Sequence, residues 1–207
     1  EYILVVGPDI DDLAGHPMLE AYSGTVEIRL ANLVASALEV PAVGGSGHDV
    51  AVGWQVANDG VAATYRSWID AVYLSDDDAL GDDTLLASFD GPVALEDGKG
   101  YDRSVMVTLP QVDEGDYWIV VVVDGNGEID EPTESDNVLI AEPVIVRRPN
   151  LTVGSLEFPS EASPGERGAY SCTVSNTGAV PTTGYWYVTA YLSDDEVLDG
   201  DPVIGSF

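Results

Sequence analysis

Cysteine is almost missing from this chain. Cys172 is the only one in 207 residues, so no intrachain disulfide supports the fold, although a shortage of cysteine says little about compartment. Basic residues are nearly as scarce, with seven Lys and Arg against 37 Asp and Glu, a net charge of −30. Lys99 is the only lysine and Arg147-Arg148 the only adjacent basic pair. A phosphate backbone needs a basic patch, so nucleic acid is excluded as a partner. There is no signal peptide, and no apolar run is long enough for a membrane span. No window carries the 3.6-residue apolar period of a helix over three or four turns. The two histidines, His16 and His48, stand alone in polar stretches without a second histidine at ligand spacing.

What is present points to strands. The chain has 22 Gly and 12 Pro and is rich in Val, Thr and Tyr, the composition of short strands joined by tight turns. The expected class is all-β. The length leaves room for one large or two ordinary domains, each with its own apolar core. So acidic a surface keeps the protein soluble but repels itself, which implies bound cations or a salty medium that screens the charge.

One stretch organises the rest. Ala71 to Leu86, AVYLSDDDALGDDTLL, runs a strand into a loop with five aspartates, and Thr189 to Ile204, TAYLSDDEVLDGDPVI, repeats it 118 residues later. The repeat extends without a gap over 31–89 and 149–207: Asn32-Leu33 matches Asn150-Leu151, and Pro41, Asn58, Gly60, Trp68, Tyr73 and Phe89 match Pro159, Asn176, Gly178, Trp186, Tyr191 and Phe207.

Residues 31–148 read as one complete unit with seven strands, Leu33 to Val40, Asp49 to Ala57, Trp68 to Ser75, Thr84 to Phe89, Arg103 to Leu109, Asp116 to Asp124 and Val138 to Val146. Val50, Val52, Trp54 and Val56 share one face of the second, as a sheet with one buried side requires. The sixth is apolar on both faces and is expected to be central. Trp54 and Trp68 lie on strand faces and read as core rather than sugar platforms; Cys172 aligns with Trp54. Seven strands in about a hundred residues predict an immunoglobulin-like antiparallel β-sandwich, with Tyr117 placed either as a tyrosine corner or for packing alone.

Residues 1–30, with strand candidates Tyr2 to Val6 and Thr25 to Leu30 around a polar loop holding Asp9, Asp11, Asp12 and Pro17, are expected to be the C-terminal remnant of a preceding β module. Residues 149–207 are expected to be the first half of a second module, joined through a short, stiff link at Arg147 to Asn150. The chain starts and stops inside strand-like runs, as a piece of a longer protein would.

With these features laid out, residues 31–148 resemble the CARDB module, the cell-adhesion-related domain found in bacteria. The resemblance rests on Asn32-Leu33 with Leu38-Glu39-Val40-Pro41, on Val56-Ala57-Asn58-Asp59-Gly60, and on Tyr73-Leu74-Ser75-Asp76-Asp77. It continues through Leu109-Pro110 to Gly115-Asp116-Tyr117, and through Val123-Asp124 to Glu131, Glu134, Asp136 and Asn137. Residues 150–207 are similar to the first half of the same pattern. The resemblance implies a β-sandwich found in tandem in large secreted or surface proteins, with no catalytic residues.

The acidic loops suggest chemistry of their own. Hard cations such as Ca²⁺ take six to eight oxygen ligands, which closely spaced Asp and Asn supply. Asp76, Asp77 and Asp83 recur as Asp194, Asp195 and Asp201, whereas Asp78 becomes Glu196 and Asp82 becomes Gly200, so the recurring three are the candidate ligands. A second loop, Asp124-Gly125-Asn126-Gly127-Glu128, runs on to Glu131, Glu134, Asp136 and Asn137; Asp124 and Asn126 are its candidates. It lacks the EF-hand spacing, and strands flank it. Turn chemistry with solvated charge is the alternative for both loops.

No nucleophile elbow or phosphate loop is present, and nothing singles out one carboxylate pair for glycoside hydrolysis. The expectation is a non-catalytic extracellular adhesion or spacer module of a secreted or surface protein, stabilised by Ca²⁺. Its partners would be an extracellular or cell-surface protein or glycan and the adjacent modules of the same chain. The alternative is an accessory module of a secreted hydrolase that binds or positions polysaccharide.

Overall fold

Strict alternation in one strand sets the architecture. The computed structural model describes residues 2–6, 11, 14–16 and 21–207; Asp9, Asp12 and Pro17 of the first polar loop lie outside them. β1 (Tyr2–Val6) and β2 (Tyr22–Val26) form an antiparallel pair. Nine strands follow: β3 (Leu33–Glu39), β4 (Val43–Gly45), β5 (Asp49–Asn58), β6 (Ile69–Ser75), β7 (Thr84–Asp90), β8 (Gly100–Thr108), β9 (Gly115–Val122), β10 (Val138–Ile140) and β11 (Val144–Arg147). In β5 every second residue, Val50, Val52, Trp54, Val56 and Asn58, is buried while the intervening ones face water, the period-two signature of a sheet with one covered side.

That covered side makes a sandwich. One sheet has the order β3-β5-β8; the other has β4-β11-β9-β6-β7, with β10 also on β9. Leu33, Val52, Trp54 and Val56 from the first meet Val72, Leu74, Ile119, Val121, Val144 and Val146 from the second. Each such aliphatic side chain contributes about 1.5–3 kcal/mol on full burial. β9 is central, as its apolar run predicts, with Ile119, Val120 and Val121 buried. Trp54 and Trp68 are core, and Tyr117 packs half-buried against it.

Nine strands replace the expected seven. The single strand expected over 138–146 is two, because Pro143 has no N–H for a ladder and separates β10 from β11. β4 went unread because Val43-Gly44-Gly45 is too short and glycine-rich to show a period. It pairs with β11 in parallel, Val43 opposite Ile145 and Gly45 opposite Arg147; the other pairs in the two sheets are antiparallel. The strand expected over 25–30 is displaced to Tyr22–Val26.

Beyond β11, β12 (Leu151–Glu157) pairs β13 (Ser171–Asn176), and β14 (Thr189–Tyr191) pairs β15 (Val203–Ser206). The β14–β15 register repeats that of β6–β7 at the 118 offset, and β12–β13 repeats the first three pairs of β3–β5 before its bulge, which falls after Val153 rather than after the equivalent of Ser36. Leu33 faces Asn58 as Leu151 faces Asn176, and Val72 faces Ala87 as Ala190 faces Gly205. Both β6–β7 and β14–β15 carry the irregularity just before the tyrosine, Tyr73 or Tyr191.

Candidate functional site

The acidic loops come first, since the sequence singles them out. After β6 the chain turns through Ser75, whose Oγ accepts from the Asp77 N–H at 3.2 Å; the Asp77 carboxylate in turn accepts from the Ala79 N–H at 2.9 Å. Asp83 accepts from the Gly81 N–H at 2.9 Å. The later loop reproduces the turn, with Asp195 N–H on Ser193 Oγ at 3.2 Å and Val197 N–H on Asp195 at 2.7 Å. These aspartates and serines satisfy turn amides that would otherwise lack partners, which gives a physical reason for the recurrence of Leu-Ser-Asp-Asp. Asp76 and Asp194 are exposed, and Asp201 Oδ2 is buried without a partner.

The second loop is a folded plug. Asp124 adopts a left-handed backbone (φ 50°), and its two carboxylate oxygens accept from the Glu128 and Ile129 N–H groups, each at 2.9 Å. Asn126 Oδ1 accepts from the Ile69 N–H at 3.0 Å. The loop thereby drives Ile129 into the core. Of the eight candidate ligands, Asp77, Asp83, Asp124, Asn126 and Asp195 thus hold backbone amides, and among the described residues no three His, Cys, Asp or Glu side chains are grouped to hold a metal.

A few residues further on the environment changes. Glu131 accepts from the Leu33 N–H with Oε2, and its Oε1 takes a 3.2 Å hydrogen bond from Asn137 Nδ2, which also donates to Glu134 Oε2 at 3.3 Å. Asn32 Nδ2 donates to Asp136 Oδ2 at 3.0 Å. Three acceptors here, Asn32 Oδ1, Asp136 Oδ1 and Asn137 Oδ1, are buried without a donor. Burial pushes the Glu131 carboxyl up to about 7, against the pull of Leu33 and Asn137 and with help from the charges of Glu134 and Asp124. This cluster brings together three orphaned oxygens for a hard cation to satisfy, where the acidic loops have one, Asp201 Oδ2.

A buried carboxylate that sequence reasoning passed over sits between the sheets. Asp70, 0% exposed, takes hydrogen bonds from Trp68 Nε1 (3.0 Å), Trp54 Nε1 (3.3 Å) and Tyr101 Oη (2.7 Å), and Arg103 Nε lies 3.4 Å away. Burial raises its pKa and these donors oppose the rise. An aspartate inside the apolar run Trp68-Ile69-Asp70-Ala71-Val72 was the available signal. With every donor aimed inward, Asp70 is a structural link between sheets.

Two open clefts complete the survey. One, about 340 Å³, lies between β12–β13 and β14–β15 and is lined by Val153, Leu156, Cys172 and Val188. The other, about 350 Å³, lies where Pro41 to Ala51 meets Val180 and Pro181. Neither includes Asp70 or Glu131, the carboxyls whose pKa burial raises.

A family model for CARDB matches residues 30–141. The chain belongs to the CARDB family. CARDB is a family of non-catalytic, adhesion-related modules typical of extracellular and surface proteins, and no helix here is long and apolar enough to cross a membrane among the described residues. Among solved structures, the chain is similar to a CARDB domain from Pyrococcus furiosus, crystallised in complex with di-metal ions. Identity is 21%, coverage 58% of this chain and 97% of that one, and the TM-score 0.45. It is also similar to part of β-glucosidase 3B from Thermotoga neapolitana, at 18% identity over 63% of this chain and 18% of that one, with a TM-score of 0.38. No curated protein matches the chain.

Proposed function

We propose that this CARDB chain serves as an adhesion or spacer element of a large secreted or surface protein. In this reading residues 31–148 form one complete module, 149–207 the first half of a second, and 1–30 the end of a preceding one. The repeated registers support the tandem reading, and so does β1–β2. Its Tyr2–Val26 pair has the residue types of Tyr117–Val144, with partners 115 and 118 residues earlier.

The observation that carries the spacer role is the link between β11 and β12, only residues 148–150. It is pinned from both sides. Arg148 donates its N–H to Glu114 at 2.9 Å and its guanidinium to Asp113 at 2.6 Å, while the Asn150 N–H donates to Asn176 Oδ1 at 2.9 Å and the Thr177 N–H to the Asn150 carbonyl at 2.7 Å. Gly178 lies so close that a Cβ there would come within about 2.5 Å of the backbone of Arg148 and Asn150. A link so short and so held transmits orientation from one unit to the next. Calcium belongs to this reading as the ion that relieves a surface of net charge −30.

Small-angle scattering of the whole chain, with and without a Gly-Ser insertion after Pro149, tests the spacer role. A stiff link gives one extended profile that broadens on insertion; identical profiles would overturn it. Turnover of a glycoside by the purified chain, lost on replacing one carboxylate pair, would overturn the non-catalytic reading.

A further inference from the structure

The oxygens around Asn137 are arranged for an ion rather than for one another. Asn137 is 2% exposed, its Oδ1 has no donor, and its amide end sits between the Glu131 and Glu134 carboxylates. Among the described residues no Lys or Arg pairs with Glu131, Glu134 or Asp136; Arg66, Arg103 and Arg148 pair instead with Glu128, Asp70 and Asp113. Several carboxylates brought together without a cation repel each other, and buried oxygens without donors cost free energy. At this place in the fold both conditions hold.

We propose that Glu131, Glu134 and Asn137, flanked by Asp136 and Asn32, form a binding site for a hard divalent cation of the Ca²⁺ class. The amide atom of Asn137 lies 3.2 Å from Glu131 Oε1 and 3.3 Å from Glu134 Oε2. Oxygen ligands at 2.3–2.6 Å from Ca²⁺ lie roughly 3.4 Å apart along a polyhedron edge, so the Asn137 amide atom stands at the spacing of a coordination edge from each of the two carboxylates. A half-turn about the Asn137 Cβ–Cγ bond exchanges Nδ2 for Oδ1. Without a cation Nδ2 faces the carboxylates, because three facing oxygens repel; with a cation Oδ1 takes its place.

Asp136 Oδ1 and Asn32 Oδ1, both buried without donors, stand by to complete the oxygen shell. The donor set holds no sulfur or imidazole, which selects against softer transition ions. Its centre is two carboxylates and the Asn137 amide, with a third carboxylate, Asp136, and a second amide, Asn32, at its flank. The site joins the loop after β9 to the residues that open β3, so ion binding would clamp the first and last parts of the module together.

The proposal rests on the assignment of Ca²⁺ to the chain and is independent of the spacer role. The test uses the whole chain after EDTA treatment and CaCl₂ at constant ionic strength, with the melting temperature and the Asn137 side-chain amide resonances as readouts. Glu134 is exposed, so Glu134→Gln leaves the core intact. We expect saturable binding with Kd of order 10⁻⁴ to 10⁻³ M, weakened at least tenfold in Glu134→Gln and unchanged in Asp76→Asn/Asp77→Asn. The Asn137 amide signals should shift on saturation. Equal affinity in Glu134→Gln, unmoved Asn137 signals, or a melting shift no larger than NaCl gives overturns the site. In each case the scattering result on the link stands or falls separately.

Discussion

Residues 31–89 and 149–207 share sequence, strand register and turn hydrogen bonds, yet they differ in burial. Leu33 is 0% exposed and Leu151 40%; Trp68 is 1% exposed and Trp186 47%. The Asn58 side chain accepts from the N–H groups of Asn32 and Gly60, and Asn176 does the same for Asn150 and Gly178. Ladders and turn caps are thus written in local sequence and form in both stretches. Burial depends on β8 to β11, which complete the two sheets around the first stretch: β8 extends β3-β5, and β9, β10 and β11 extend the sheet that faces it. The interior polar chemistry follows burial: where the first has Asp70 and Trp54, the second has Val188 and Cys172. A carboxylate between sheets needs the donors of Tyr101 and Arg103 on β8, and β12 to β15 bring none.

Breaking the buried network should separate the two stretches most. Asp70→Ala leaves the Arg103 charge, two indoles and a phenol without their acceptor and is expected to cost about 3–5 kcal/mol, whereas Val188→Ala should cost at most about 1 kcal/mol; urea denaturation measures both. Trp68→Ala is next, at about 3–5 kcal/mol with its cavity. Trp186→Ala, already half exposed, should cost less than about 1 kcal/mol, and comparable losses from the two tryptophans would break the contrast.

The pH dependence sharpens it further. The Glu131 carboxyl holds its proton up to about 7 in the folded chain, above its ordinary value near 4.5, so the folded form binds more protons between those limits. Stability from this group is therefore full below about pH 4.5 and lost as pH rises through 7. In EDTA the melting temperature should fall from pH 5.5 to 8, with Glu131→Gln flattening the curve. The smallest effects test the shared local chemistry. Ser75→Ala and Ser193→Ala each remove the acceptor of the Asp77 or Asp195 amide together with the hydroxyl's weaker donor contacts and should cost similar amounts, on the order of 0.5–1 kcal/mol.

The sequence made legible what depends on short-range pattern. The alternation of Val50, Val52, Trp54 and Val56 and the gap-free repeat carried the sandwich, the central β9 and the equivalent strands. The break at Pro143 was visible but was overridden by the apolar residues on both sides. β4 has too few side chains to show a period. The loop aspartates Asp77, Asp83, Asp124 and Asp195 were read as ligands because composition cannot tell a carboxylate that faces an ion from one that faces its own backbone. Asp70 escaped notice for the opposite reason, and Glu131, Glu134, Asp136 and Asn137, seen as the end of the second loop, were not chosen as ligands. Their partners, Tyr101, Arg103, Leu33 and Asn32, lie far away in sequence, and only the closed sandwich brings them together.

The parallel pairing of β4 with β11 has a mechanical consequence. In a parallel pair the N-terminal end of one strand and the C-terminal end of the other lie at opposite ends of the ladder. Once tension drawn through the chain has passed β3 and reached Val43, it pulls β4 and β11 along their length in opposite directions. The bonds from Ile145 N–H to the Ala42 carbonyl and from Ser46 N–H to the Arg147 carbonyl are then loaded together, in shear, rather than opened one after another. A module so fastened yields late and abruptly under tension.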